Sequence, residues 1–179
     1  MNKINVGIIG LGQRGLGNLK TVMLIDNVNI VALCDVYEDR VEDASKEVIN
    51  TGKSEPVKYT DYKKLLEDKN VNTVLVFSSW ETHVKISIEA MEMGKAVGME
   101  VGGAYDIEEC FLLVETWEKT KVPFMMLENC CFGKKELLAL RLAREGILGD
   151  IVYCHGAYAH DLRKEIAEGK ENRHYRFYI

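Results

Sequence analysis

Short apolar runs alternating with helix-patterned stretches constrain this chain more than any other feature. Ile4–Ile9, Val28–Cys34, residues 72–77, Ala96–Met99 and residues 122–127 are brief and rich in Val, Ile, Phe and Met. That length and composition predict strands. Between them, residues 14–25, 62–66, 82–93, 107–118 and 135–144 repeat apolar residues at helical spacing. Gly94 is placed to stop the third of these helices. Asp106, with Glu109 three residues on, fits an N-cap and its box partner ahead of the fourth. Such alternation predicts an α/β fold, a doubly wound parallel sheet with helices on both faces. In such a sheet ligands bind outside the carboxyl ends of the strands, where strand order reverses. Residues 151–159 read as one more strand, and the charged, aromatic tail from residue 164 as a loop.

At 179 residues the chain is long enough to bury a core without disulfide staples. The net charge of −5 argues against a nucleic-acid partner, which needs a concentrated basic face. No apolar run approaches the ~18 residues that crossing a membrane requires, so no membrane partner is expected. The five cysteines, Cys34, Cys110, Cys130, Cys131 and Cys154, are odd in number and form no CxxC pair. They read as reduced thiols in a cytoplasmic protein, acting as small buried hydrophobes.

The run Gly10-Leu11-Gly12-Gln13-Arg14-Gly15 is GxGxxG, placed between the first strand and the first helix. Gly10 permits the tight turn, Gly12 the approach of a pyrophosphate, and Gly15 close packing of helix on strand. The helix start offers N–H groups and a partial positive charge to phosphate. Asp35 ends the second strand, 20 residues after Gly15. A carboxylate there accepts hydrogen bonds from ribose hydroxyls and repels a 2′-phosphate, so NAD is expected in preference to NADP. Arg40 is in principle able to meet a 2′-phosphate, but it reads as a solvated helix charge. Three later strands run into Ser78-Ser79-Trp80-Glu81-Thr82-His83, Glu100-Val101-Gly102-Gly103 and Glu128-Asn129-Cys130-Cys131. All three deliver polar residues to the ligand edge. His155, His160 and Asp161 match no strong ligand spacing, and no metal is expected.

GxGxxG, Asp35, Trp80-x-x-His83 and the run Met125-Met126-Leu127-Glu128-Asn129-Cys130-Cys131-Phe132-Gly133 together resemble the glucose–fructose oxidoreductase/inositol dehydrogenase (Gfo/Idh/MocA) family. Within it, these residues and the run from Gly156 to Arg163 resemble the NAD-dependent α-N-acetylgalactosaminidases of glycoside hydrolase family 109. The resemblance implies a Rossmann-type NAD-binding domain over residues 1–127. Residues 128–179 would be the incomplete start of an α/β substrate and dimerisation domain, giving a homo-oligomer. It implies that Gln13, Arg14 and Gly15 meet the pyrophosphate and Asp35 the adenosine ribose, with Gly10 and Gly12 in the same cofactor-binding loop. Trp80 and His83 would line the nicotinamide half, with Glu100 and Val101 along its ribose and Asn129 against the cofactor. Tyr158 would touch the sugar, with Glu128 and His160 bordering the same cleft. A further tyrosine and histidine are expected beyond Ile179. The implied chemistry is redox-neutral cleavage of a glycoside through transient oxidation at the sugar C3, elimination and addition of water. Sugar dehydrogenases of the family carry Glu-Lys-Pro after the strand that matches Ala96–Met99, where this chain has Glu100-Val101-Gly102. That departure favours the glycosidase branch. A sugar or polyol dehydrogenase, and a non-catalytic dinucleotide-binding module, remain alternatives, and a chain this short is expected to be inactive alone.

Overall fold

Six parallel strands make one sheet: β1 (Ile4–Ile9), β2 (Val28–Cys34), β3 (Val57–Tyr59), β4 (Thr73–Val76), β5 (Ala96–Met99) and β6 (Phe124–Met126). Their order is β3-β2-β1-β4-β5-β6. This is a computed structural model, and it describes residues 3–157, 159–163, 167 and 173. The order reverses between β1 and β4, so the crevice beyond their carboxyl ends is the ligand position. Register aligns those ends. Ile9 pairs with Cys34 and with Val76, and Val76 pairs with Met99. Gly10, Asp35, Phe77 and Glu100 therefore leave the sheet along one edge.

Helices α1 (Gln13–Val22), α2 (Glu38–Asn50), α3 (Tyr62–Glu67), α4 (Trp80–Glu92) and α5 (Ile107–Thr120) connect the strands. Alternation along the strands builds two cores. Val6, Ile8, Ile30 and Leu33 pack with Leu19 of α1 and Val41, Ala44 and Val48 of α2. Ile9, Ala32, Val74, Val76, Val97 and Met99 pack with Leu65 of α3 and Ile86, Ala90 and Met91 of α4. Each large aliphatic side chain buried this way contributes about 1.5–3 kcal/mol relative to exposure. Local signals end the helices where expected. Asp106 Oδ1 accepts from the Glu109 N–H at 2.8 Å. The Glu109 carboxylate reaches one residue further back than a standard box, to the Tyr105 N–H. Gly94 follows α4 with φ +75°.

Helix α2 and strand β3 are additions to the runs read from sequence. The buried positions of α2 are Val41, Ala44, Ser45 and Val48, a helical stripe half made of small residues. β3 has three residues, none of them buried, so it carries no apolar run. The cysteine reading also changes. Cys34 is buried, but Cys110, Cys130, Cys131 and Cys154 are exposed. Burial, and then the charges of Asp35 and Asp61, push the Cys34 thiol up to about 12.

Two compact units divide the chain, residues 1–127 and 128–179. The first holds the sheet. The second contains a 3-10 turn (Cys130–Phe132) and helix α6 (Lys134–Arg144). The strand expected at 151–159 is not formed: residues 151–157 and 159 lie outside any ladder. Val152 is 95% exposed, and a strand needs a partner to take its backbone hydrogen bonds.

The β1–α1 turn depends on close backbone approach. Gly10 has φ +92°. A Cβ on Gly15 would collide with the Gly10 carbonyl oxygen and lie 2.9 Å from its carbon. Neither atom belongs to a flexible side chain. Gly15→Ala is therefore expected to destabilise the fold by about 1–3 kcal/mol, measured as a lower urea midpoint at unchanged m.

Candidate functional site

The start of α1 is built to face an anion. Gly12 is its N-cap, no side chain among the described residues caps it, and its first turn holds no acid. By contrast α2, α4, α5 and α6 each carry an acidic residue in the first turn. The N–H groups at the head of a helix, with its dipole behind them, suit a phosphate. A Cβ on Gly12 would lie 3.6 Å from the Arg40 guanidinium, ordinary contact distance. Gln13 and Arg14 are exposed beside it.

Asp35 is 7% exposed and already engaged with backbone. Its Oδ2 accepts from the Leu11 N–H at 2.7 Å and its Oδ1 from the Tyr37 N–H at 3.0 Å. A carboxylate has roughly four lone-pair sites, so two such bonds leave acceptor capacity for ribose hydroxyls. Arg40 differs from its expected role as a solvated charge. Its Nη1 lies 3.8 Å from Asp35 Oδ2, and its guanidinium stands over the Tyr37 ring at 4.8 Å. Arg40 sits in the first turn of α2, five residues after Asp35.

Across the switch point, Trp80 opens α4. Its indole lies on Gly102, where a Cβ would come within 2.6 Å of the indole Cδ1. Gly102 has φ +84°, left-handed backbone that glycine adopts without cost. His83, one turn further along α4, is 1% exposed. Its Nε2–H donates to the Ser78 carbonyl at 2.9 Å. Burial lowers its pKa, opposed by the Ser78 and Glu100 carbonyls, so the ring is neutral near pH 7. It holds the β4–α4 turn from beneath.

Glu100 ties β5 to α1. It is 8% exposed, and its Oε2 stands 3.5 Å from Arg14 Nε and 3.4 Å from Asn18 Nδ2. Its Oε1 accepts from the Val101 N–H at 3.1 Å. Arg14, expected at the pyrophosphate, thus has a carboxylate partner, and Asn18 joins the site without having been singled out in the sequence. Val101 is half-buried. In the first unit, then, the glycine loop, Asp35, Arg40, Trp80, Glu100 and Val101 share one sheet edge.

The remaining candidates belong to the second unit. Glu128 Oε1 accepts from the Cys130 N–H at 2.6 Å, and Asn129 is the N-cap of the 3-10 turn. His160 is exposed. Tyr158 lies outside the described residues, as does His174.

Comparison with known proteins agrees with this geometry. The Gfo/Idh/MocA oxidoreductase family, described as an NAD-binding Rossmann fold, matches residues 4–128. An α-N-acetylgalactosaminidase from Bacteroides fragilis is 39% identical over 163 residues, 89% of this chain and 38% of that protein. A glycosyl hydrolase family 109 protein from Phocaeicola vulgatus is 35% identical over 164 residues, 90% of this chain and 40% of that one. The chain thus spans about two fifths of the length of these relatives. Among solved structures, scyllo-inositol dehydrogenase from Lactobacillus casei with bound NAD(H) and scyllo-inositol superimposes with a TM-score of 0.77 at 22% identity. That match covers 84% of this chain and 43% of the dehydrogenase, and at such identity it speaks for the fold. The matched family, the strand order and the glycine-loop geometry agree, and the chain belongs to the Gfo/Idh/MocA oxidoreductase family, carrying its NAD-binding Rossmann fold.

Proposed function

We propose that this chain is the cofactor-binding part of an NAD-using glycosidase of the α-N-acetylgalactosaminidase type, acting on a small-molecule sugar or glycoside. One observation carries the choice over a sugar dehydrogenase. The dehydrogenase pattern Glu-Lys-Pro falls here on Glu100-Val101-Gly102. Val101 has no proton to transfer, and Gly102, at φ +84°, occupies backbone closed to proline, whose ring fixes φ near −65°. The loop as built does not accommodate the dehydrogenase pattern. The two relatives described above support the same choice.

NAD, when bound, supplies a reversible hydride acceptor, which suits a cleavage that is redox-neutral overall. In this reading Gln13, Arg14 and the loop glycines bind the pyrophosphate, and Asp35 binds the adenosine ribose. Trp80 and the turn supported by His83 flank the nicotinamide half, with Glu100 and Val101 beside its ribose. Asn129 contributes to cofactor binding. Tyr158, Glu128 and His160 orient the sugar and handle its protons. Residues 128–179 are the beginning of a substrate domain, through which the whole protein forms a homo-oligomer. A cytoplasmic setting is supported by the odd number and spacing of the five cysteines.

Calorimetric titration of the chain is expected to show NAD binding tighter than NADP binding; no heat with NAD, or a preference for NADP, would refute the reading. Asp35→Ala is expected to weaken NAD binding by about 1–3 kcal/mol, since it removes both a charged acceptor and the anchor of the Leu11 N–H. The 179-residue chain is expected to release no aglycone from an aryl α-N-acetylgalactosaminide. A form as long as its relatives is expected to release it without net NADH absorbance. Accumulating NADH would assign the dehydrogenase activity instead.

A further inference from the structure

We infer that Cys130 and Cys131 form a vicinal dithiol site that captures a monosubstituted trivalent arsenical by bonding its arsenic to both sulfurs. The inference stands apart from the proposed glycosidase activity. Cysteine is among the residue types most often buried, yet these two are exposed and adjacent in the chain. They open the 3-10 turn Cys130–Phe132. That turn is anchored on both sides of Cys130. Its N–H donates to Glu128 Oε1 at 2.6 Å, and its carbonyl accepts from the Gly133 N–H at 3.1 Å. The backbone carrying the thiols is thus held while the thiols stay within reach of solvent.

Environment divides the five cysteines. Cys34 is buried, and burial with the charges of Asp35 and Asp61 pushes its thiol up to about 12, so it offers almost no thiolate. Cys110 and Cys154 are exposed, but neither has a cysteine beside it in the chain. Each of these offers a single bond to a thiol reagent. Cys130 and Cys131 offer two. Sulfur is a soft ligand and suits a thiophilic centre. The two thiols replace the two hydroxyls on the hydrated arsenical, each thiol proton leaving with a hydroxyl as water, and arsenic stays trivalent. Once the first As–S bond has formed, the second closes within the molecule at an effective concentration of about millimolar or more. Adjacent side chains leave a 3-10 turn about 120° apart. The sulfurs therefore converge by rotation about χ1, a freedom that exposed side chains keep. Cys131 Sγ gives up only a 3.9 Å contact with the Glu128 carbonyl, since S–H is a weak donor.

The test titrates the full chain, reduced with a phosphine, with phenylarsine oxide. Bound arsenical is counted by intact mass for wild type, Cys110→Ser, Cys130→Ser, Cys131→Ser and Cys154→Ser, with melting temperatures recorded for each. Wild type is expected to take up one phenylarsenic group, released by ethanedithiol and retained against mercaptoethanol. Cys130→Ser and Cys131→Ser are each expected to weaken capture at least about 100-fold at unchanged melting temperature, because both side chains are exposed. Cys110→Ser and Cys154→Ser are expected to match wild type. Capture that survives the loss of either vicinal thiol, or that falls in Cys110→Ser or Cys154→Ser, would overturn the assignment. Failure of the reduced wild type to bind the arsenical would overturn it as well.

Discussion

The hydrogen bond from the Leu11 N–H to Asp35 Oδ2, 2.7 Å and buried, is the contact on which the site depends. It joins the end of β2 to the middle of the glycine loop. Bonds of an amide to a buried carboxylate are among the stronger ones in a protein, about 1.5–3 kcal/mol. Here the bond fixes two things at once. It sets the path of the loop between Gly10 and Gly12, and it sets the rotamer of the Asp35 carboxylate. A sheet edge with the same strands and a different residue at position 35 would keep the fold and lose this registration.

Strand order then decides where the loop sits. Because β1 lies between β2 and β4, the glycine loop emerges with Asp35 on one side and the Phe77–Trp80 turn on the other. Glu100 closes the arrangement from β5, reaching Arg14 and Asn18 on α1. The charged groups of this edge come in pairs, Asp35 with Arg40 and Glu100 with Arg14. Each pair sets a positive charge against a buried carboxylate. It also lowers the repulsion that a phosphate-bearing ligand meets on approach.

Legibility followed the range of the interaction involved. Strands β1, β2, β4 and β5 announced themselves because buried parallel strands need continuous apolar residues. The glycine loop announced itself because its turn and its helix packing leave no room for a Cβ. β3 stayed silent because a three-residue edge strand with no buried residue carries no apolar run. Arg40 illustrates the same limit within the site. Nothing in its neighbourhood along the chain distinguishes a solvated arginine from one that folds back over Tyr37. His83 and Trp80 occupy one helix, three residues apart, yet the former is buried under the turn while the latter rests on Gly102.

The sequence by itself determined the alternating architecture, the glycine turn and the acid at the end of β2, since each follows from local sterics, periodicity or backbone conformation. Only the tertiary structure decided how the charges are partnered, which candidates reach the edge, and that residues 151–157 run without strand pairing. Those outcomes depend on contacts between segments far apart in the chain, such as Glu100 with Arg14 and Leu11 with Asp35. Such distances are set by the register of the sheet and not by the spacing of residues along it.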